Sequence, residues 1–593
     1  MPVLPAALAL MVLAAGPLAA QERGELLQRR AGEAPVSWHG GAAAASPVRL
    51  RILGINDLHG QLATRARVDG ATGSRPIGGA AVLASYLAVE RDADPQHTLT
   101  LIAGDSVGAS ALLSGLLHDE PTLAVLNAVA GRDCPPLVRP DAAAGPIVTR
   151  CHTLATVGNH EFDHGPAELE RQLYGGRHPD GAGLGRHWDG SHVPMLASNV
   201  QWRDDGRPLL PPAAIVEMGG VRIGIVGAVT AETPSLVAPG RLDALRFEDE
   251  APRINAAVRA LHARGVNAIV LLIHEGLTAP LNPVPGPLAP GEARGRLAAI
   301  LAALDGGIDV VIAGHTHQPN NALVPLRSGP PALVVQARSY GTAYSVVDLE
   351  LDRRGGTVVD KSARVMSSWA DQGPGRDPDR AVARIVRTAA AATAAVSERL
   401  VGAAAMAIRR GAATDPESAL GDLVADAQRA AAAADFAFLN PGGVRNDLEA
   451  GPLTYGALYD VLPFGNRLVR ISMTGAEVLA VLEQQFEGAR ALQPSFLRVA
   501  GLRYVYDLSR PPGSRILAAD ELAGRAIDPA RRYLVVANDF IVGGGNRYTA
   551  FAAGREPTPL MTDLQALESY VASAPAPLAT RADGRVRPFA TPR

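Results

Sequence analysis

A chain of 593 residues, 47% hydrophobic and 19% charged, is too long for one hydrophobic core and too apolar for disorder, so two or more folded domains are expected. The formal net charge of -3 leaves no basic excess for a nucleic-acid polymer and no acidic solvating tail.

In chain order, residues 1–20 read as an export signal: an apolar run from Val3 ends in Leu18, Ala19 and Ala20, before polar Gln21, Glu22 and Arg23. Only the amino terminus is positive ahead of that run, and a buried N-terminus is the alternative. Pro2, Pro5 and Pro17, with a length at the lower limit for spanning, argue against a stable membrane anchor. Export to a periplasm or medium follows as the expectation. Residues 21–47 form a weakly structured leader. The only two cysteines, Cys134 and Cys151, bracket a Pro- and Ala-rich loop. In an exported chain so isolated a pair reads as a disulfide, stabilising by roughly 3 kcal/mol through loop closure, with two buried thiols as the alternative.

Short β-branched runs at 48–55, 99–103, 153–157, 221–226, 268–273 and 310–313 are bounded by Gly, Asp or Asn and read as buried strands. Helical patterns such as 79–90 and 251–264 lie between several of them, which indicates α/β layering. Polar groups follow these strands: Asp57 and His59; Asp105; Asn159, His160, Glu161 and Asp163; His274; His315 and His317. Ligands of open α/β sheets collect at the carboxyl ends of strands, so these groups should converge in one crevice. Each motif is weak alone. Together, Asp57, His59, Asp105, Asn159, His274, His315 and His317 offer carboxylate, amide and imidazole donors, too many for one tetrahedral ion and suited to two ions sharing a carboxylate.

The order Asp-x-His, Gly-Asp, Gly-Asn-His-Glu-Phe-Asp, His and Gly-His-x-His resembles the calcineurin-like metallophosphoesterases. Asn440-Pro-Gly-Gly-Val-Arg445 and Leu462-Pro-Phe-Gly-Asn466 narrow the resemblance to the two-domain 5'-nucleotidase/UDP-sugar hydrolase family. It covers about 48–587. The resemblance implies an α/β fold: an N-terminal four-layer αββα-type metallophosphoesterase domain at 48–368, a linker at 369–400 including a helix, and a C-terminal mixed α+β substrate-binding domain at 401–593. It also implies two divalent metal ions, with Zn, Mn, Co or Fe all admitted. Asp57, His59, Asp105 and His317 would hold one; Asp105, Asn159, His274 and His315 would hold the other. Two ions roughly 3.5–4 Å apart clamp a phosphoryl group and acidify a shared water into a nucleophile. By the same resemblance His160 stands over the phosphoryl group, oriented and kept charged by Asp163.

The Ala-rich pattern at 380–399 reads as a helix separating the domains without much interface of its own, and the family's version allows an open-to-closed rotation. Phe464 and Phe540 match the pair that sandwiches the nucleobase, and stacking tolerates any base. Asn440 and Arg445 match the loop contacting nucleoside and phosphate, where a guanidinium fork suits paired anionic oxygens.

Two departures bear on the pocket. Where the family has Gly-Gly-Asp-Gly-Phe, this chain has Gly544-Gly545-Asn546-Arg547-Tyr548, and Asn546 both donates and accepts where an ionised Asp only accepts. An Arg expected near 413–416 is missing; either Arg409 or Arg410, several residues early, replaces it, with Arg410 carried as the candidate, or phosphate contacts are fewer. His178 and His187 lie in a Gly-rich insertion at 175–191, with His192 directly after it; their spacing fits no zinc pattern and the stretch reads as a surface loop. The expected partner is a small nucleotide, with oligomeric state left open. The favoured activity is 5'-nucleotidase, with UDP-sugar hydrolysis alongside; the alternative is 2',3'-cyclic-nucleotide 2'-phosphodiesterase/3'-nucleotidase. A nucleoside- or metal-binding protein without catalysis is a third reading.

Overall fold

The computed structural model describes residues 33–40, 47–70, 73–131, 133–139, 145–181, 183–185, 187–280, 286–491 and 494–589. The expected export signal at 1–20 lies outside them, as does most of the leader.

Two seven-stranded sheets build the N-terminal half. The first runs Val36–His39, Val358–Ser367, Ala343–Asp352, Pro47–Ile55, Thr98–Ala103, Thr153–Thr156, Met195–Leu196. The second runs Asn320–Val324, Ala332–Gln336, Val310–Ala313, Ala268–His274, Val221–Val229, Ala213–Met218, Ile147–Thr149. The six expected strands are all present, and where two of them are neighbours they pair in parallel. Parallel pairing sends every crossover back over a face and leaves the carboxyl ends together at one rim.

The period of two sorts the side chains. Leu50, Ile52, Leu99 and Leu101 point between the sheets and meet Ile223, Ile225, Val270, Leu272 and Ile312. Leu53, Ile55 and Ile102 point the other way, beneath helices Ala80–Ala93 and Glu120–Ala130. Ile269, Leu271 and Ile273 face helices Glu250–His262 and Arg296–Ala303. The result is helix, sheet, sheet, helix. Each such buried Leu or Ile contributes about 1.5–3 kcal/mol.

Two expectations need correction. The leader, expected to be weakly structured, contributes a strand of its own: Val36–His39 pairs antiparallel with Val358–Ser367 and forms the edge of the first sheet. Trp38 there lies 5.0 Å from the Lys361 ammonium, a cation–π contact that fixes the strand. The linking helix, Arg380–Ser397, has a substantial interface. It buries Val382, Ala389 and Thr393, and lays Ile385, Val386 and Ala390 on the N-terminal core. Those positions repeat every three or four residues, so one stripe of the Ala-rich helix faces inward. Asp379 caps it by accepting the Val382 N–H at 2.9 Å. Cys134 and Cys151 are joined in a disulfide.

The C-terminal half is a five-stranded mixed sheet ordered Arg498–Ala500, Phe436–Leu439, Arg532–Asn538, Arg467–Thr474, Arg555–Thr562. One pairing is parallel and three are antiparallel. Helices Ala419–Ala432, Gly475–Gln484 and Asp563–Ser573 cover it. The helix Tyr455–Val461 touches both the linking helix and the short helix Leu112–Gly115. Its Asp460 accepts the Leu112 N–H at 2.8 Å and pairs with Arg65.

Candidate metal centre and the pocket against it

The strand ends bring six of the seven expected donors together in two adjoining groups. Asp57, His59 and His317 offer ligand atoms within 4.8 Å of one another, and so do Asp105, His274 and His315. The groups adjoin: His59 Nε2 lies 3.7 Å from Asp105 Oδ2, and His274 Nε2 lies 3.9 Å from Asp57 Oδ1. Asn159 is 2% exposed, and its side-chain oxygen is buried without a hydrogen-bond partner among the described residues. An orphaned buried acceptor costs about 1–3 kcal/mol, a cost that a cation would remove.

The imidazoles are fixed from behind. His59 Nδ1 bonds the Gly108 carbonyl at 2.9 Å, and His274 Nδ1 bonds the Ala103 carbonyl at 2.7 Å. A carbonyl accepts only from an N–H, so each Nδ1 carries its proton and each Nε2 is turned towards the cluster. Asp57 accepts the His315 N–H, and Asp105 accepts the His160 N–H at 2.9 Å. The backbone is held in an unusual state as well. Asp57, His59, Asp105, His315 and His317 have φ of 50°, 48°, 50°, 75° and 58°. Each non-glycine residue in that region costs on the order of 1–3 kcal/mol and persists only where its surroundings over-determine it. Gly158 is required by closeness: a Cβ there would stand 2.1 Å from Asp105 Oδ1.

Charge is arranged to suit a cation. Burial works against an ionised Asp105, but His274 and His160 outweigh it and hold the carboxyl well below its usual range. Burial pushes His315 and His317 down, keeping them neutral and able to bind a metal. His59 is pushed well down by burial and by Arg445. For His160, burial opposes the charge, yet Asp163 and Asp105 raise it. Its Nδ1 lies 2.9 Å from Asp163 Oδ2, and its ring is 5.2 Å from that of His59.

The C-terminal half reaches into this centre. Arg445 Nη2 lies 3.1 Å from His59 Nε2, and its buried Nε has no partner among the described residues. Phe464 places its ring 5.7 Å from His160. Phe540 is only 9% exposed and packs in the domain core and under Gly545. Asn440 accepts from Asn538 at 3.1 Å and donates to Asn546 at 3.4 Å, so the two pocket amides lie in one chain. Arg410 donates to the Val444 carbonyl at 3.3 Å and so braces the loop carrying Arg445.

Other residues emerged only from the fold. Glu161, 4% exposed, accepts the N–H groups of Gly158, Asp105 and Ser106 and clamps two of the site's loops together. Burial and Asp105 raise it to about 7. It stands in the motif directly after His160 and was visible there as a residue, though not as a clamp. Tyr340, with rings of His59 and His317 at 5.7 and 5.4 Å, carries no motif at all.

Residues 50–319 match the family model of calcineurin-like phosphoesterases, and residues 392–553 match that of the 5'-nucleotidase C-terminal domain. The chain is 33% identical to endonuclease YhcR of Bacillus subtilis over 545 residues, which is 91% of this chain but 41% of that protein. It is 32% identical to cell wall protein Lmo0130 of Listeria monocytogenes, covering 91% of this chain and 69% of the relative. A solved 5'-nucleotidase precursor of Thermus thermophilus superposes with a TM-score of 0.73 at 26% identity, covering 92% of this chain and 100% of that one. Motifs, fold and relatives agree, and the chain belongs to the calcineurin-like metallophosphoesterases that carry a 5'-nucleotidase C-terminal domain.

Proposed function

We propose that this hydrolase is an exported 5'-nucleotidase, acting on nucleotide phosphomonoesters and extending to nucleotide-sugar pyrophosphates. The observation that carries the reading is the meeting of Arg445 and Phe464 with the donor cluster, at 3.1 Å from His59 and 5.7 Å from His160. A cationic fork and an aromatic face beside a metal centre match a phosphate joined to a base.

Asp57, His59, Asp105 and His317 would hold one ion, and Asp105, Asn159, His274 and His315 the second, with Asp105 shared. Bound there, two divalent ions would supply Lewis acidity and acidify a water. His160, charged through Asp163, donates its Nε2 proton to the leaving ester oxygen. Arg445 neutralises a non-bridging phosphate oxygen and holds phosphorus over the centre. Phe464 receives the base, while Asn440 and Asn546 present amide edges to the nucleoside.

Export is supported by the apolar start of the chain, by the Cys134–Cys151 disulfide and by the relative named a cell wall protein. Among the described residues no helix is long and apolar enough to cross a membrane.

Phosphodiester cleavage is the second reading, favoured by the relative named an endonuclease. The deciding experiment is a panel of AMP, other 5'-mononucleotides, a UDP-sugar, 2',3'-cyclic AMP, single-stranded DNA and an aryl phosphate, with Mn, Zn or Co. Preference for 5'-mononucleotides over the aryl phosphate is expected. Preference for the cyclic nucleotide or the polymer would replace the first reading with the second, and no metal-dependent turnover would sink both.

A further inference from the structure

We propose that the protein binds a further divalent ion, of the zinc class, away from the phosphoesterase centre, through His118, His178 and Asp180. These three offer ligand atoms within 4.8 Å of one another. The His118 and His178 rings stack with centroids 3.4 Å apart and planes 14° from parallel. His118 Nε2 is buried and has no hydrogen-bond partner among the described residues. A buried ring nitrogen beside a second imidazole and a carboxylate lacks a partner that a cation would provide.

The surroundings leave Asp180 as the carboxylate for that ion. Arg171 donates to both oxygens of Glu168 at 2.8 Å and to Glu120 at 2.8 Å, so those acids already share a cationic partner. Asp180 is exposed, and an adjoining cavity of about 350 Å³ lined by Glu120, His178, His187 and Trp188 gives access from solvent. Two imidazoles and one carboxylate favour zinc and similar first-row ions over magnesium or calcium, which demand more oxygen ligands.

The site joins two parts of the fold. His178 belongs to the Gly-rich insertion, whose Trp188 is buried against Val107 and Leu123, so this stretch is not simply surface loop. His118, 60 positions earlier by numbering, precedes Asp119, which accepts the Gly108 N–H at 3.2 Å. Gly108 in turn supplies the carbonyl that holds His59. The ion would pin the insertion to the segment supporting the main centre. No local spacing announces it, because its two histidines come from separate segments.

The test uses the full chain, stripped with chelator, reloaded with zinc and dialysed, with metal per chain measured by mass spectrometry. His118→Gln and His178→Gln should each carry one equivalent less than the unaltered chain and keep turnover of an aryl phosphate. Asp180→Asn, on an exposed side chain, should lower the affinity for that equivalent and serves if a histidine variant misfolds. The comparison is between variants, so it stands apart from whatever the main centre holds. Equal zinc content and affinity in the unaltered chain and in folded His178→Gln and Asp180→Asn would overturn the proposal, leaving the ring pair as packing.

Discussion

The donor cluster and the nucleoside pocket are built on opposite plans. In the cluster four of the seven donors are anchored to backbone: His59 and His274 by carbonyls at one nitrogen, Asp57 and Asp105 by backbone N–H groups. The pocket is held mainly by side chains bonding side chains, Asn538 to Asn440 to Asn546, and by the loop carrying Phe464. Backbone anchors cost no side-chain entropy and hold donors rigidly, as metal geometry demands. A pocket for a stacked base tolerates looser support, and so can diverge within a family.

The comparison yields a ranked set of expectations. The largest effect falls on the shared carboxylate. Asp105→Asn should weaken both metals together and reduce kcat/KM by more than any other change; selective loss of one ion in a metal titration would refute the sharing. Next, His160→Ala should keep both metals and lower kcat roughly 10²–10⁴-fold, the range for removing a positioned acid. Loss of metal in that variant would move His160 into the ligand set. Glu161→Gln puts an amide donor against three N–H groups and should cost roughly 10–100-fold in metal affinity, as loss of an outer support does. Unchanged affinity would show that the loops hold without it.

On the pocket side the effects shrink. Phe464→Ala should raise KM for a mononucleotide roughly 5–150-fold, from about 1–3 kcal/mol of stacking, with metal content unchanged. An equal loss with an aryl phosphate lacking a base would argue against stacking. The smallest effect is on stability. Burial raises Asp563 from 3.8 to about 7 in the folded protein, so the folded state holds its proton where the unfolded chain has released it. Stability contributed there therefore falls as pH rises from about 4 to 7, and is flat above. Asp563→Asn should flatten that part of the melting profile, measured by calorimetry; an unchanged slope would assign it elsewhere.

Legibility followed the same division. The donors could be read because each follows a short β-branched run, and parallel strands end at one rim in each of the two sheets. The support could not be read: nothing local says that Gly108 and Ala103 offer carbonyls to His59 and His274, or that Tyr340 lies against His59 and His317. The linking helix was visible as a helix, but its stripe at Val382, Ala389 and Thr393 gained meaning only once a core lay beneath it. Phe464 and Phe540 read alike in sequence, yet one lies beside His160 and the other is packed in a core.

The sequence by itself determined the strands, the identity of the donors and the order in which they arrive, because periodicity and residue chemistry are local properties. Tertiary structure decided which donors share a site and which nitrogen each presents. It also decided that Asp57, His59, Asp105, His315 and His317 sit in left-handed backbone, and that His118 meets His178. Those are properties of contacts between distant segments, and only the packed chain supplies enough of them to hold a strained backbone or an orphaned nitrogen in place.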